Sequence, residues 1–333
     1  MSNLKIGFIG CGRHAKANLY PSLKLLNAEI QSVCAKHLDH AQATAQQFGA
    51  KNSYDNHIKM LESEKLDACF VVAEGALQMP LVEDCLNHGV HVFAEKPLGL
   101  TTQDSQKIAD LSKVTGKHVM VGFMKRFAPS YQLLKKMIED TGSFGKSLSA
   151  TGTFVFRNFG SEESFVYNAA IHYLDLIRFY FGEVTEIQGY KQILPEGVNQ
   201  NFSFVTENGQ IGNMFFAGLA PWARHWEEFT ITGTNGFVKA ENLRKVTKHV
   251  SENSVSGVIP WQSLSERDEV FTTVESTTAG GNQPYCLNGF APEIEHFLNC
   301  VRSNTEPMTS VADNVKTMEL CEKVLTQLKV QTK

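Results

Sequence analysis

The amino-acid sequence predicts an α/β protein: a doubly wound parallel sheet, followed by an α+β domain with an open, largely antiparallel sheet. Over residues 1–122, short apolar strands alternate with helical stretches, which favours right-handed crossovers and parallel strands. Later in the chain, runs that alternate apolar and polar residues are joined by turns such as Asn208-Gly209, as in antiparallel sheets. We therefore expect domains over residues 1–122 and 123–333, and the last helix is free to pack back on the first domain.

The first domain should alternate strands and helices in a regular way. Hydrophobic periodicity and turn residues set the expected bounds of each element. The predicted strands are 4–9, 29–34, 68–72, 90–93 and 118–121. The first predicted helix follows the glycine motif at 10–15 and runs to about residue 26, and the others are 38–48, 55–63, 79–88 and 102–115.

The second domain should begin with a helix and a long strand, at 128–139 and 146–156. An apolar helix over 168–177 follows and ends near Gly182. The remaining predictions are antiparallel strands within 184–250, a loop with one or two edge strands over 251–285, and helices at 288–303 and 313–329.

A glycine motif follows the first strand directly. Residues 10–15 read Gly-Cys-Gly-Arg-His-Ala, the pattern G-x-G-x-x-A. Gly10 permits a tight turn, Gly12 lets backbone approach a pyrophosphate, and Ala15 allows close packing of the helix on the strand. The helix N-terminus then offers N–H groups and a positive dipole end to the phosphates. Between a strand and a helix, this motif predicts a dinucleotide-binding Rossmann domain.

The end of the second strand indicates which dinucleotide is preferred. NAD-selective folds usually carry Asp or Glu there, to bind the ribose 2′-hydroxyl. Here the acid is absent and Lys36 and His37 follow Ala35. Cations would attract a 2′-phosphate, so we expect NADP(H) rather than NAD(H). In the alternative reading, Lys36 is a solvated surface lysine and the site accepts either cofactor.

Lys96 is the principal candidate for catalysis. It lies in Glu95-Lys96-Pro97 at the carboxyl end of a strand, where open α/β sheets bind ligands. The pKa of a lysine shifts readily on burial, which suits proton transfer, and Pro97 restricts the backbone of Lys96. The alternative is a lysine on an ordinary strand-to-helix turn.

His172 is the second candidate for catalysis. Asn168 lies four residues before it and Asp175 three residues after it, which puts all three on one helix face. A histidine titrates near neutral pH, so it can serve as an acid or base. The alternative is a core histidine that is satisfied by Asp175 or by a backbone carbonyl.

Composition narrows the classes of partner and location. The net charge of −4 is dispersed, which argues against nucleic-acid or anionic-membrane partners, and no apolar run approaches a membrane span. The N-terminus enters a strand without the layout of a signal peptide. Seven scattered cysteines without a C-x-x-C pair point to reduced thiols, no metal site and a cytoplasmic location.

These motifs together resemble the glucose–fructose oxidoreductase / inositol dehydrogenase (GFO/IDH/MocA) family. The resemblance rests on four groups of residues: the glycine turn, Glu95-Lys96-Pro97, Gly122-Phe123 with Arg126-Phe127, and His172-x-x-Asp175. It extends to the closing helices, with Phe290, Glu293 and His296-Phe297. The family implies a Rossmann domain that binds NAD(P), a substrate domain whose sheet often mediates oligomerisation, and oxidation of sugar or cyclitol hydroxyls.

The resemblance assigns roles to individual residues. It implies that Lys96 and His172 serve in proton transfer and substrate orientation, and that the Lys96–Pro97 bond is often cis. The residues expected at the cofactor are Gly10, Cys11, Gly12, Arg13, His14, Lys36, His37, Ala73, Glu95 and Lys96. The residues expected at the substrate are Lys96, Arg126, Asn168 and His172, although Arg126 could instead tie the domains together.

The sequence departs from the family pattern at three places. Asn168 stands where an Asp is usual, so a Lys–Asp–His relay is not available as such. The glycine-rich lead-in to that helix is replaced by residues 162–167, and the usual proline and histidine of a cofactor loop are replaced within Ala73–Gln78.

The expected function is hydride transfer between a nicotinamide and a secondary alcohol or ketone of a carbohydrate-like molecule. Lys96 and His172 would stabilise charge on the oxygen, either of them carrying the proton, and Asn168 would bind substrate or His172. We expect a homodimer or homotetramer formed through the C-terminal sheet. A dinucleotide-binding sensor without turnover is the main alternative, and a pterin- or tetrapyrrole-type reductase is a third.

Overall fold

The computed structural model describes residues 4–219, 225–251, 266–273 and 283–331. The chain divides into two compact units. The first comprises Met1–Phe127 and Gln283–Glu322, and the second comprises Ala128–Asn282 and Lys323–Lys333. The first unit therefore contains residues 283–322, which the sequence analysis placed in the second domain while allowing the last helix to pack on the first.

A parallel sheet forms the centre of the first unit. Within the described residues it has six strands in the order β3-β2-β1-β4-β5-β6, and every paired neighbour is parallel. The strands β1, β4 and β5 are buried along their whole length, which explains why they read as continuous apolar runs. The six strands are β1 Ile6–Ile9, β2 Ile30–Cys34, β3 Asn52–Tyr54, β4 Ala68–Val71, β5 His91–Ala94 and β6 Val119–Val121.

Helices connect these strands, and local signals set their ends. At the start of the helix over Thr102–Thr115, the side chain of Thr101 accepts from the N–H of Asp104, and the carboxylate of Asp104 accepts from the N–H of Thr101. Gly116, with φ +66°, ends this helix. A π-helical turn over Ala15–Leu19 leads into the first helix. The helices are α1 Tyr20–Leu25, α2 Leu38–Phe48, α3 His57–Ser63, α4 Gln78–Asn87 and α5 Thr102–Thr115.

Two C-terminal helices complete the first unit. They are α11 Phe290–Ser303 and most of α12 Val311–Gln327, preceded by α10 Pro284–Leu287. The ring of Phe297 packs edge-on against Phe70 and Phe93 of the parallel sheet. Thr309 accepts from the N–H of Val121 through its carbonyl at 2.8 Å and so extends the edge of β6. Burial of the apolar face of α11 is the physical reason why this segment groups with the first unit.

The second unit is built on a mixed sheet. Its order within the described residues is β14-β13-β12-β11-β7-β10-β9-β8-β15. Along β9, residues 198, 200, 202, 204 and 206 are buried and alternate with more exposed ones, as expected for a sheet covered on one face. The strands are β7 Ser147–Phe156, β8 Val184–Leu194, β9 Gly197–Thr206, β10 Ile211–Leu219, β11 Trp226–Gly233, β12 Gly236–Glu241, β13 Lys245–Ser251, β14 Glu266–Thr272 and β15 Lys329–Val330.

The pairing of this sheet differs from consecutive hairpins at its centre. Strand β7 lies between β10 and β11, parallel to β10 and antiparallel to β11. A helical segment separates β7 from the strands over 184–250 in the sequence. The apolar–polar periodicity of those strands therefore does not show where β7 pairs. The prediction of a largely antiparallel sheet is confirmed, with the parallel pairs β7–β10 and β8–β15 as its exceptions.

The helices of the second unit precede and follow β7. They are α6 Pro129–Glu139, α7 Thr141–Phe144, α8 Glu162–Phe165 and α9 Ile171–Phe181. A second π-helical turn, over Val166–Ala170, joins α8 to α9. The predicted loop over 251–285 contains β14, and its residues 252–265 and 274–282 lie outside the described residues. In the part of the chain that the structure describes, no helix combines the length and apolarity that a membrane crossing requires.

Candidate active site

The first position of the glycine turn after β1 has a backbone conformation that only glycine adopts without strain. Gly10 has φ +118°, and a Cβ there would overlap the carbonyl oxygen of Val72. Its N–H donates to the carbonyl of Cys34 at 2.9 Å, and the hydroxyl of Tyr20 donates to its carbonyl at 3.1 Å. The turn is thus held from β2 and from the helix that follows it.

Gly12 offers the space that a pyrophosphate needs. A Cβ at this position would meet no protein atom within 4 Å, so the backbone is open to a ligand. The helix that starts after it directs its first N–H groups to the same place, and Arg13 is exposed there. Cys11 is half-buried, with its sulfur 3.9 Å from the hydroxyl of Tyr20. These residues fit the diphosphate of a dinucleotide.

The second strand ends at the position that usually selects the cofactor. Ala35 is half-buried, whereas Lys36 and His37 are exposed. His37 is the N-cap residue of α2, and its ring lies edge-on to that of His40 with centroids 5.5 Å apart. A ribose at this strand end would therefore meet an imidazole and an ammonium group where other proteins present a carboxylate.

Lys96 follows β5 at the carboxyl edge of the parallel sheet, two strands from β1. The Lys96–Pro97 peptide bond is cis. The lysine side chain is half-buried, and desolvation lowers its pKa, opposed by the negative charge of Glu95. A lowered pKa makes the amine a better proton donor near neutral pH.

Glu95 joins this loop to the glycine turn. It is buried, and its Oε1 lies 3.0 Å from Nε2 of His14, whose Nδ1 lies 3.2 Å from the amide nitrogen of Asn18. The carboxylate raises the pKa of His14, while burial of the ring lowers it. The N–H of Lys96 donates to the other oxygen of Glu95 at 3.3 Å. The two loops are therefore connected through one ion pair.

The loop after β4 also reaches the Lys96 segment. The N–H of Ala73 donates to Oε1 of Gln78 at 3.3 Å, and Nε2 of Gln78 donates to carbonyls on both sides of Lys96. Sequence reasoning named Ala73 but did not assign a role to Gln78. The signal that was available is its place at the start of a helix, directly after the loop Glu74-Gly75-Ala76-Leu77.

His172 lies in α9 of the second unit and is buried, as is Asp175. Asn168 belongs to the π-helical turn that precedes α9 and is exposed. Its amide nitrogen donates to the carbonyl of Ser164 at 2.9 Å and lies 3.2 Å from the hydroxyl of the same residue. A π-helical turn therefore lies at Asn168, where the sequence analysis assumed regular α-helical spacing as far as His172.

Arg126 is buried in the first unit, where its guanidinium forms an ion pair with Asp313 at 2.7 Å. The pair ties the end of the first chain segment to the start of α12. This contact supports a structural role within the unit, whereas the sequence analysis expected Arg126 either at the substrate or between the two domains.

The first unit thus brings together residues from three strand ends. Gly10, Gly12 and His14 follow β1, Ala73 follows β4, and Glu95 and Lys96 follow β5. Lys36 and His37 follow β2 on the other side of β1. Open parallel sheets bind their ligands at this edge. His172 and Asn168 belong to the second unit.

Two family models match the chain. Residues 4–123 match the "Oxidoreductase family, NAD-binding Rossmann fold", and residues 131–239 match the GFO/IDH/MocA C-terminal domain. The first match covers all the strand ends described above, and the second covers α9 with His172.

Curated relatives and solved structures of similar length agree with these matches. The scyllo-inositol 2-dehydrogenase (NAD(+)) of Bacillus subtilis is 25% identical, across 95% of this chain and 92% of that protein. The D-apiose dehydrogenase of Paraburkholderia graminis is 22% identical, across 97% and 87%. A dehydrogenase structure from Chromobacterium violaceum has a TM-score of 0.87 at 20% identity, with 98% of this chain and 96% of that chain covered. With both models matched, over residues 4–123 and 131–239, this chain is a member of the GFO/IDH/MocA family of oxidoreductases.

Proposed function

We propose that this protein is an NAD(P)-dependent dehydrogenase or reductase for a secondary alcohol or ketone of a sugar, cyclitol or sugar derivative. Bound NAD(P) would supply the hydride acceptor or donor. Relatives named as scyllo-inositol and D-apiose dehydrogenases support this class of substrate. The observation that carries the proposal is Lys96, an amine of lowered pKa two strands from an open glycine turn.

Lys96 is the proposed proton-transfer group. When an alcohol is oxidised, its hydroxyl proton must leave as the carbon gives up hydride, and a partly desolvated amine can accept it. In the reverse direction the ammonium form donates a proton to the developing alkoxide. Such a positioned acid or base contributes on the order of 10²–10⁴-fold in rate.

The test is a screen followed by a matched pair of lysine variants. Purified protein is assayed with NAD(H) and NADP(H) against sugars, cyclitols, nucleotide sugars and their keto forms, by absorbance of the reduced nicotinamide. Lys96→Ala should lower kcat by on the order of 10²–10⁴-fold on any substrate found. Lys107→Ala, on the exposed face of α5, should leave kcat unchanged. Full turnover by Lys96→Ala would refute the assignment.

His172 is the proposed second group that binds and polarises the substrate oxygen, with Asn168 as a substrate contact. A buried imidazole in a family-matched substrate domain supports this role. If Lys96 and His172 act on the same step, the effects of His172→Ala and Lys96→Ala on kcat should be strongly non-additive. Independent, multiplicative effects would mean that they act on different steps.

We propose NADP(H) as the preferred cofactor. Exposed Lys36 and His37, and the absence of an acid at Ala35, support it. The relative named for NAD(+) argues for NAD(H). The KM values for NADH and NADPH, measured in wild type and in Lys36→Ala, decide the matter. If NADP(H) is preferred, Lys36→Ala should raise the KM for NADPH and leave the KM for NADH unchanged. The proposal would be refuted if the KM values for NADH and NADPH were equal in wild type and unchanged in the variant.

We propose that the protein assembles as a homodimer or homotetramer through the sheet of its second unit. On the open face of this sheet Tyr190 and Ile211 are more than half exposed, beside the polar residues Asn201 and Asn213. Exposed apolar side chains on a sheet face favour association. Light scattering should give a multimer for wild type and a smaller species for Tyr190→Glu; a wild-type monomer would refute the assembly.

The departures from the family pattern at Asn168 and within Ala73–Gln78 are the features that would favour the alternative, a dinucleotide sensor without turnover. Both Lys96 and His172 are present in elements that match the family models. Cofactor binding without turnover across the whole substrate panel would nevertheless favour the sensor over the enzyme.

A further inference from the structure

Gln78 is buried, although the loop directly before it is exposed. Residues 74–77, which lie between β4 and α4, are exposed, whereas Gln78 at the start of α4 is 2% exposed. A buried primary amide costs free energy unless its donors and acceptor are satisfied. Its partners therefore indicate what the residue is for.

Those partners are backbone groups of two strand-end loops. Nε2 donates to the carbonyl of Glu95 and, at 3.3 Å, to the carbonyl of Pro97, while Oε1 accepts from the N–H of Ala73 at 3.3 Å. Carbonyl oxygens accept only and an N–H donates only, so these partners fix the orientation of the amide. One side chain thereby joins the loop after β4 to both sides of Lys96.

Neighbouring groups anchor the backbone on both sides of Lys96. Upstream, the N–H of Glu95 donates to the carbonyl of Val71 at 3.2 Å, as a continuation of β5. Downstream, the carbonyl of Leu98 accepts from the hydroxyl of Ser105 at 2.5 Å. Between these points the carbonyls of Glu95 and Pro97 are held by Gln78.

We propose that Gln78 is a positioning residue for the catalytic step, because its amide clamps the two carbonyls that flank Lys96. This inference rests on the proposed function, in which Lys96 transfers the proton. An amine displaced by about 1 Å from its reacting partner can lose on the order of 10²-fold in rate. The clamp keeps the Lys96 side chain in its partly desolvated place.

Two substitutions separate the clamp from simple packing. Gln78→Met keeps the length of the side chain and removes every hydrogen bond. Gln78→Glu keeps the shape, but its ionised carboxylate would face the two carbonyl oxygens, whereas its protonated form regains one donor. We expect kcat to fall by about 10–100-fold in Gln78→Met. In Gln78→Glu, kcat relative to wild type should recover as the pH falls and the new carboxyl becomes protonated.

A second readout needs no substrate. The rate at which acetic anhydride modifies Lys96, measured by peptide mass spectrometry against pH, reports the pKa of the Lys96 amine. In wild type this pKa should lie below the ordinary lysine value, because of desolvation. Both Gln78 variants should move it back towards the ordinary value, as the released loop exposes the amine to water. Gln106→Met, which changes an exposed glutamine of α5, should leave the labelling as in wild type.

The two readouts distinguish the possible failures. If wild type turns over no substrate but the Gln78 variants alter Lys96 labelling, the clamp stands and the proposed function fails. If Gln78→Met does not fold, Gln78→Glu still tests the clamp through its pH dependence. Wild-type labelling of Lys96 in a folded Gln78→Glu or Gln78→Met, together with a wild-type pH profile of kcat, would overturn the inference.

Discussion

The pair formed by His14 and Glu95 makes the junction between two ligand loops sensitive to pH. Glu95 raises the pKa of His14 above its ordinary value of 6.5, against desolvation and the charge of Lys96, which lower it. A raised pKa in the folded state means that the pair stabilises the protein fully below about pH 6.5. That contribution is lost as the pH rises through the folded-state pKa.

We therefore expect the stability difference between wild type and His14→Gln to shrink with rising pH. The midpoint of thermal unfolding of both proteins, measured at about pH 6 and about pH 9, checks this. The control is the same substitution in a Glu95→Gln background, where the difference should no longer depend on pH. An equal difference at both pH values would show that the ion pair contributes nothing.

His91 should respond to pH in the opposite direction. Desolvation, with Lys117 and His118, lowers the pKa of His91 to about 4. Its Nδ1 accepts from the N–H of His118 at 3.0 Å, which requires the neutral ring. A lowered pKa means that this histidine costs no stability above about pH 6.5 and destabilises the fold by on the order of 1.4 kcal/mol per pH unit below it.

We expect wild type to lose stability relative to His91→Asn as the pH is lowered from about 7 to about 5. Asn can offer an acceptor to the N–H of His118 but cannot take up a proton. Urea unfolding of both proteins at the two pH values gives the difference. A constant difference between them would contradict the lowered pKa.

At the scale of single elements, alanine substitutions at the two glycines of the turn after β1 should have different effects. Gly10→Ala meets the carbonyl of Val72 and an unfavourable φ, so we expect a loss of about 1–3 kcal/mol of stability. Gly12→Ala meets no protein atom. We expect an unchanged unfolding midpoint but at least about tenfold weaker dinucleotide binding, since the new methyl fills the ligand's space.

Calorimetry and a fluorescence titration with NADPH and NADH measure the two effects. Each variant is the control for the other, because they add the same methyl group two residues apart. Normal dinucleotide affinity in Gly12→Ala would contradict the assignment of the pyrophosphate site.

Much of this element order could be predicted from the sequence, because apolar runs and caps are local signals. The strand-turn-helix unit with Gly10, and α5 with its cap at Thr101, are examples. The short edge strand β3 was not predicted, since its three residues are partly exposed and carry no apolar run. The two π-helical turns also lack a sequence pattern. The prediction that Asn168 and His172 share one helix face therefore assumed an α-helical regularity that the sequence does not guarantee.

The roles of Gln78 and of the His14–Glu95 pair could not be predicted for a related reason. Both depend on contacts between loops that follow different strands, and the sequence does not give the distances between side chains. The glycine motif and the strand-end lysine could be predicted, because each is defined by its neighbours along the chain.

At the scale of the whole molecule, the first unit depends on residues from the far end of the chain. Phe297 in α11 is fully buried and packs on Phe70 and Phe93. We expect Phe297→Ala to cost about 3–5 kcal/mol, because it leaves a cavity beside the parallel sheet.

Urea unfolding measures this loss, and Val114→Ala, on the exposed surface of α5, should change stability little. A fragment of residues 1–127 lacks α11 entirely and should not unfold cooperatively. A stable, cooperative fragment would contradict the dependence on the C-terminal segment.

This two-segment construction has a consequence for biosynthesis. The first segment of the nucleotide-binding unit, residues 1–127, leaves the ribosome well before the remaining helices of the unit exist, since residues 128–282 must be translated in between. At about 5–20 residues per second that interval lasts roughly 8–30 s. During this interval Phe70 and Phe93 lack the side chain of Phe297 that packs on them in the folded protein. Nascent chains of this protein should therefore need chaperone protection that a contiguous nucleotide-binding unit would not.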